Sequence, residues 1–245
     1  MPSPPEIHVY DTLGHDGQIW SHHTLRILYA LHRKDLSYTT QSVDYPDIES
    51  TFAPTSLPAK DDPVEPYEMP VLRFRTDGAE DLYLMDPALI IAKLDELVPD
   101  PPLRFASPRA VEARAIFGPA FAPLLQIAVG RVPTVLSERS KQGFLAKRKA
   151  RWGKSLEEWV AERPQNFLLA TAETRLTLFG RWLEEGNQGP FVEGSEPGYS
   201  DMTVVSILEF ARRVGASEAF EAGMRHAPIA RLYNALAEGS MVAEC

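Results

Sequence analysis

The first hundred residues alternate between short apolar runs and stretches with helical periodicity. Residues 7–10 are β-branched or aromatic at most positions and end at an aspartate and a glycine-containing loop, which predicts a strand followed by a turn. Four positions then recur at i, i+3, i+4 and i+7: Leu25, Leu28, Tyr29 and His32. This spacing predicts an amphipathic helix, and Ser21 is placed to cap its first turn.

A hairpin and a helix are predicted further along, after a strand candidate at 37–45 and an irregular, proline-rich stretch at 46–66. The sequence PVLRFRTDGAEDLYLM contains two alternating runs joined by an Asp-Gly pair at 77–78, which is typical of a β-hairpin. Asp86 and Pro87 then supply an N-cap acid and a first-turn proline, which predicts a helix through ALIIAKLDEL. The predicted order is therefore β-α-β, a long connection, and β-β-α.

The second half of the chain shows only helical periodicity. The sequence VPDPP breaks the preceding helix, and residues from about 107 to 237 are predicted to form helices, most strongly at 167–185 and 200–214. Pro119 and Pro123 are expected to kink the first of them.

These patterns divide the 245-residue chain into two domains. The length suffices for a sizeable core and is long for one small domain. We predict an α/β domain at residues 1–98, a linker at 99–105 and an all-helical domain at 106–245.

Composition limits the classes of partner. A formal net charge of -9 disfavours binding to a phosphate backbone, and the hydrophobic content of 44 % is that of ordinary soluble proteins. The basic cluster at 141–154 is followed by an acidic segment, so a solvated helix face is favoured over a nucleic-acid contact. No apolar run approaches the roughly 20 residues of a membrane span. We expect neither nucleic acid nor a membrane as a partner.

Neither the cysteine nor the histidines predict a metal site. Cys245 is the only cysteine, so an intramolecular disulfide or a cysteine-based metal cluster is impossible. His15, His22 and His23 lack the i, i+3 or i, i+4 spacing of a helical metal pair, and no acidic partner lies in register. No metal is expected, and His22 and His23 either line a pocket or are exposed. The N-terminus lacks the features of a secretory signal, which predicts a cytoplasmic protein.

The sequence YEMPVLRF places a proline at the start of a strand that leads into the hairpin. Because X-Pro is the only bond for which the cis form costs little, we predict that Met69-Pro70 is cis. Such a bond would turn the main-chain N–H and C=O of Met69 outward, where an extended peptide could pair with them.

The element order, the proline that opens the third strand and the all-helical second domain together resemble the glutathione transferase superfamily. Through IHVYDTLGHDGQIWSHHTLR, VDYPDIESTFAPTSLP and YEMPVL, the chain resembles most the fungal etherase-like, serine-type glutathione transferases, and the resemblance covers nearly the whole chain. It implies a thioredoxin-like βαβ-ββα domain followed by a helical-bundle domain. It also implies glutathione as co-substrate or cofactor, and a homodimer in which the sheet edge and the helical domain exchange contacts.

The resemblance further implies which residues hold glutathione. Ser21 takes the position of the serine, tyrosine or cysteine that faces the glutathione sulfur, and Met69 that of the residue that clamps the cysteinyl backbone. Asp86 and Pro87 take the positions of an acidic residue and a serine that hold the γ-glutamyl group. The remaining candidates around glutathione are Gln18, Trp20, His22, Glu68 and Pro70.

An apolar stripe at i, i+4 and i+8 runs along the first helix of the second domain, at Phe117, Phe121 and Leu125. Taken alone, the stripe predicts core packing. In the superfamily the helical domain supplies the apolar electrophile site, so the resemblance makes Phe117 and Phe121 candidates for binding the acceptor. The proline-rich stretch at 46–66 is either a linker-like loop or one wall of the site.

Three positions depart from the superfamily pattern. Pro87 has neither a hydroxyl nor an N–H, so the γ-glutamyl carboxylate needs another donor. His22 stands where relatives usually have proline. Gly198 stands three residues before Asp201, where the usual helix cap has serine or threonine.

A hydroxyl at a helix start suits the activation of a thiol. A thiol with a pKa of about 8.5 is only slightly ionised at pH 7, and lowering that pKa by about two units requires about 2.7 kcal/mol. A hydroxyl that donates to the charged sulfur contributes roughly 1.5–3 kcal/mol, and the helix N-terminus adds about 0.3–1 kcal/mol. Ser21 at a helix start supplies both, although an N-cap role alone would also explain this serine and Asp86.

The predicted function is that of a glutathione-dependent transferase acting on an apolar electrophile. One alternative is a glutathione-dependent cis/trans double-bond isomerase in secondary metabolism, in which the thiolate adds to a conjugated bond and later leaves. The other is a non-catalytic, ligand-carrying protein on the same fold, which Pro87 and Gly198 favour mildly. The sequence does not identify the electrophile.

Overall fold

The computed structural model describes residues 5–185 and 188–238. A four-stranded sheet lies at the centre of the N-terminal domain, in the order β2-β1-β3-β4, with these strands: β1 Glu6–Asp11, β2 Thr39–Ser42, β3 Val71–Arg75 and β4 Leu82–Leu84. β1 pairs parallel with β2 and antiparallel with β3, which forms the predicted hairpin with β4. A parallel pair needs a crossover connection, and helix α1, His22–Arg33, provides it.

Helices make up the rest of the described fold. Those of the N-terminal domain are α2 Ile48–Phe52 and α3 Pro87–Leu97. Those of the C-terminal domain are α4 Pro108–Val129, α5 Glu138–Trp152, α6 Leu156–Ala161, α7 Gln165–Glu184, α8 Tyr199–Arg213, α9 Ser217–Met224 and α10 Ala227–Glu238. The predicted fold class, a thioredoxin-like domain followed by a helical domain, is confirmed. In the described part of the chain, no helix is both long and apolar enough to traverse a bilayer.

The proline-rich stretch contains a helix that the sequence pattern did not predict. A 3-10 turn at Tyr45–Asp47 leads into α2, whose Ile48 and Phe52 are buried. The ring of Phe52 packs edge-on against Tyr10 of β1, with 5.4 Å between ring centroids. The prediction of an irregular stretch was therefore wrong here, because contacts with the sheet stabilise a helix too short to form alone.

The connection between the domains runs from residue 98 to 107 and encloses the predicted linker. Helix α4 continues through Pro119 and Pro123, and the kink remains a prediction. The predicted end of the helical domain and Cys245 lie outside the described residues.

Helix α1 is clamped between the two domains. Its Leu25, Ile27 and Leu28 are at most 1 % exposed, and one buried cluster joins them to the sheet and to α8. Arg213 of α8 donates from Nη1 to the carbonyl of Ile19 at 2.6 Å. These contacts fix the start of α1 at the domain boundary.

Candidate active site

A cavity of about 440 Å³ lies at the domain boundary, in the usual size range of small-molecule sites. The thioredoxin-like domain lines it with the start of α1 and the segment before β3, including Ser21, Met69 and Pro70. The helical domain contributes apolar side chains from α4, α5 and α8, and α5 also adds three cations. We call the side formed by the start of α1 and the segment before β3 the polar wall, and the side formed by the helical domain the apolar wall.

Ser21 lines this cavity at the N-cap position of α1. Its carbonyl accepts from Thr24 N and Leu25 N, at 3.1 and 2.9 Å, but its hydroxyl makes no capping hydrogen bond. The side chain is 8 % exposed, and the first turn of α1 contains no acidic residue that would offset the positive end of the helix dipole. Capping therefore does not use the Ser21 hydroxyl, which can donate to an anion in the cavity.

Met69 also lines the cavity, and the predicted cis bond between Met69 and Pro70 is present. Its main-chain N–H and C=O form no hydrogen bond with any described residue. The neighbouring Glu68 also lines the cavity and forms an ion pair with Lys60. A backbone edge without partners can pair with an extended peptide ligand.

Asp86 and Pro87 differ in their relation to the cavity. The Asp86 carboxylate accepts from Ala88 N and Leu89 N, at 2.8 and 3.2 Å, so the predicted N-cap of α3 is confirmed. Asp86 is exposed and outside the cavity lining, whereas Pro87 lies in it. Gln18 is also outside the lining, in an exposed turn where its N–H bonds the Asp16 carboxylate.

The first turn of α1 brings two histidines and an arginine to the cavity. The His22 ring lies 3.9 Å from the ring of His23 and 5.1 Å from that of Phe210. Burial, with help from the Arg26 charge, lowers the pKa of His22 to about 3, and burial holds the pKa of His23 well below its ordinary value. His23 also has an exposed side chain in the cavity wall. Both rings are neutral at pH 7.

Arg26 therefore carries the positive charge on this wall. Its Nη2 lies 2.9 Å from His23 Nδ1, and because Arg26 only donates, this nitrogen is the acceptor of the imidazole. No carboxylate among the described residues lies within ion-pair distance of Arg26. The guanidinium is free to bind an anionic ligand.

The apolar wall differs from the one expected. Phe121 is fully buried and packs edge-on against Phe179 of α7, with 5.5 Å between centroids, and Phe117 is also absent from the lining. Leu125, the third member of the predicted stripe, does line the cavity. The other apolar wall residues are Val129, Val132, Phe144 and Phe210. The face of α4 near Phe121 is turned toward α7, and only the later part of the stripe reaches the cavity.

The proline-rich stretch forms part of the wall. Ile48 of α2 and Glu65 line the cavity, as does Tyr45 just before the stretch. Of the two alternatives for residues 46–66, the structure supports the wall.

Residues 110–238 match a protein family described as the C-terminal domain of glutathione S-transferases, which is 129 of the 245 residues. The chain belongs to the glutathione transferase superfamily. It is 28 % identical to the glutathione S-transferase-like protein ustS of Aspergillus flavus, across 84 % of this chain and 79 % of that protein.

Solved glutathione transferases of two fungi share the fold of this superfamily member. The transferase GSTFuA2 of Phanerochaete chrysosporium has a TM-score of 0.78 at 26 % identity, covering 96 % of this chain and 98 % of its own. A glutathione S-transferase of Ceriporiopsis subvermispora, solved in complex with glutathione, has a TM-score of 0.79 at 24 % identity and the same coverage.

The altered cap of this glutathione transferase homologue keeps half of its usual hydrogen bonds. Asp201 is 1 % exposed and accepts from Gly198 N at 2.8 Å and Val192 N at 2.7 Å. Gly198 has no side chain, so the reciprocal bond, in which the Asp201 N–H would donate to a cap hydroxyl, is missing. The buried aspartate thus still anchors the start of α8.

Sequence reasoning missed Asp11, a cavity residue at the end of β1. Its side chain is 1 % exposed, and its Oδ2 has no hydrogen-bond partner among the described residues. Burial raises the pKa of Asp11 to about 7; the Thr24 hydroxyl lies close enough to oppose this but does not reach hydrogen-bond geometry. The available signal was an acidic residue directly at the end of a buried strand.

The described residues contain no group of three or more histidine, cysteine, aspartate or glutamate side chains placed to share a metal ion.

Proposed function

We propose that this protein conjugates glutathione to an apolar electrophile and that Ser21 activates the thiol as a catalytic residue. The observation that carries the proposal is the Ser21 hydroxyl, which lies in the cavity at the start of α1 and is not used for capping. A hydroxyl donor and the helix N-terminus both favour the thiolate over the thiol. The Ceriporiopsis relative was solved with glutathione bound, which supports glutathione as the co-substrate here.

The polar wall fits glutathione as an extended peptide. The main-chain N–H and C=O of Met69 have no hydrogen-bond partner among the described residues and would pair with the cysteinyl residue of glutathione. The buried Trp20 Nε1 has no hydrogen-bond partner in the described part of the chain either, which leaves one more donor. Arg26 offers the donor that Pro87 cannot supply to a glutathione carboxylate. The cavity-lining candidates retained for glutathione are Trp20, Ser21, His22, Glu68, Met69, Pro70 and Pro87, whereas Gln18 and Asp86 lie outside the lining.

The apolar wall would hold the acceptor against the sulfur. The thiolate forms a carbon–sulfur bond, the leaving group departs with its electron pair as chloride or aryloxide, and the thiol proton passes to solvent. Aryloxide release would be the ether cleavage expected of the fungal etherase-like, serine-type class, in which we place the chain. Leu125, Val129 and Phe144 replace Phe117 and Phe121 as the proposed acceptor contacts.

Substituting Ser21 tests the catalytic assignment. We expect Ser21→Ala to lower turnover by about 10- to 100-fold, because one hydrogen bond to a charged sulfur is lost, with little change in glutathione affinity. The pKa of the bound thiol, followed by thiolate absorbance, should rise. Stability should change little, because the hydroxyl makes no capping bond.

Ser155→Ala provides the matched control. Ser155 caps α6 through Glu158 N at 3.1 Å, outside the cavity, so its loss should cost about 1 kcal/mol of stability and leave turnover unchanged. An unchanged thiol pKa in Ser21→Ala would show that another group activates glutathione.

Two further measurements separate the alternatives. Calorimetry that detects no glutathione binding at millimolar concentration would favour the ligand-carrying protein. Product formed from an enone far in excess of limiting glutathione, with no thiol consumed, would instead identify an isomerase.

A further inference from the structure

Three cations of α5 line the cavity, and one of them lacks an acidic partner among the residues that the structure describes. Arg151 pairs with Asp62 at 2.8 Å and Glu65 at 2.9 Å, and Arg148 lies 3.6 Å from the same Glu65 carboxylate. Lys147 forms no ion pair or hydrogen bond with any described residue. Its Nζ lies 5.8 Å from the centre of the Tyr45 ring. The Glu65 carboxylate is therefore already engaged by two arginines, and no carboxylate among the described residues lies within ion-pair distance of Lys147, although Glu65 and Glu49 attract it from farther away.

Lys147 borders the apolar part of the cavity. It lies three residues after Phe144, so the two side chains share one face of α5. Phe144 is 1 % exposed and packs edge-on against Tyr45, with 5.5 Å between centroids. Burial lowers the pKa of Lys147, which is the expected result when a cation is moved from water without a partner. An anionic ligand group would remove this penalty.

The polar wall has a different free cation. Arg26 lies five residues after Ser21 on α1, on the wall proposed for glutathione, and the neutral His22 and His23 add no charge there. Within the described part of the chain, the two lining cations without an acidic partner are thus divided between the two walls. Glutathione carboxylates have Arg26, and Lys147 remains for a group on the other ligand.

We propose that the electrophilic acceptor carries a carboxylate beside its apolar part and that Lys147 binds this carboxylate. This inference rests on the proposed function, because it assigns the apolar wall to the acceptor. The substrate class is thereby narrowed from apolar electrophiles in general to apolar acids.

A binding measurement tests Lys147 without requiring turnover. The probes are 4-chloro-3-nitrobenzoate and its methyl ester, which share the ring and differ in charge, and both are titrated by calorimetry with unreactive S-methylglutathione present. We expect the wild-type protein to bind the acid more tightly. Lys147→Met should weaken binding of the acid by about 10- to 100-fold and leave binding of the ester unchanged, because one charged contact is lost while an apolar side chain of similar length is kept.

Lys149→Met is the matched control, since Lys149 is exposed and lies on a surface groove outside the cavity. It should leave the binding of both probes unchanged. Equal weakening of acid and ester in Lys147→Met, or no preference for the acid in the wild-type protein, would overturn the proposal.

Steady-state kinetics with the same probes and glutathione distinguishes the source of the carboxylate. A raised KM for the acid alone supports the proposal. A raised KM for glutathione with both probes would mean that Lys147 holds the glycyl carboxylate of glutathione, which overturns the acceptor assignment. If glutathione does not bind at all but Lys147→Met still weakens the acid selectively, the proposed function fails and the carboxylate site stands.

Discussion

Replacing Asp11 by asparagine should remove a pH-dependent weakness from the folded protein. Asp11 is 1 % exposed, its Oδ2 has no partner among the described residues, and burial raises its pKa from 3.8 to about 7. A pKa difference of one corresponds to about 1.36 kcal/mol, so with a pKa of about 7 in place of 3.8, ionising Asp11 in the folded protein costs roughly 4 kcal/mol.

The folded protein holds the Asp11 proton more tightly than the unfolded chain does. Because the folded pKa lies above the unfolded value, the folded protein keeps the proton of Asp11 between about pH 4 and pH 7. The free energy of unfolding therefore decreases as the pH rises through this window. The contribution is complete below the unfolded pKa and is lost above the folded one. Asparagine cannot ionise and removes this dependence.

Urea unfolding followed by circular dichroism at several pH values between 4 and 8 measures the effect. The free energy of unfolding of Asp11→Asn, minus that of the wild-type protein, should rise by up to about 4 kcal/mol across the range. The control is Asp77→Asn, in the exposed hairpin turn, for which the difference should stay constant. The buried Asp201 is present in all three proteins and cancels. If the free energies of unfolding of Asp11→Asn and the wild type change with pH in parallel, Asp11 is not a neutral, buried carboxyl in the folded protein.

Two further predictions concern assembly and packing. Dimerisation, expected from the superfamily, predicts a native mass of twice 27.3 kDa in light scattering, and a wild-type mass equal to the monomer would refute it. Leu178 of α7 is 57 % exposed, and we expect Leu178→Glu to shift the measured mass toward that of the monomer. Gly143→Ala should cost about 1–3 kcal/mol in thermal or urea unfolding, because a Cβ there would lie 2.8 Å from the Tyr45 Cβ. The control Gly180→Ala should be neutral or stabilising by up to about 1 kcal/mol, since its Cβ would meet Pro228 at an ordinary 3.5 Å. Equal losses of stability in the two variants would contradict the close approach of α5 to Tyr45.

Local patterns in the sequence determined most of the elements. The stripe through Leu25 and Leu28 predicted α1, and the alternation around the Asp-Gly pair predicted the hairpin of β3 and β4. Asp86 was correctly predicted as an N-cap, and the position of Pro70 predicted the cis bond. These features depend on residues only a few positions apart, so one chain segment contains the necessary information.

Packing between distant segments decided helix α2, the position of Phe121 and the charge of the cavity. Helix α2 exists because Phe52 meets Tyr10, and the buried position of Phe121 results from its contact with Phe179 of α7. The ion pairing of the cavity cations also depends on segments that are far apart in the chain. Whether Lys147 has an acidic partner depends on where Glu65 lies, some eighty residues earlier in the chain. The sequence thus determined the fold and the position of Ser21, whereas the shape and charge of the cavity required the tertiary structure, because burial and ion pairing are properties of contacts between segments.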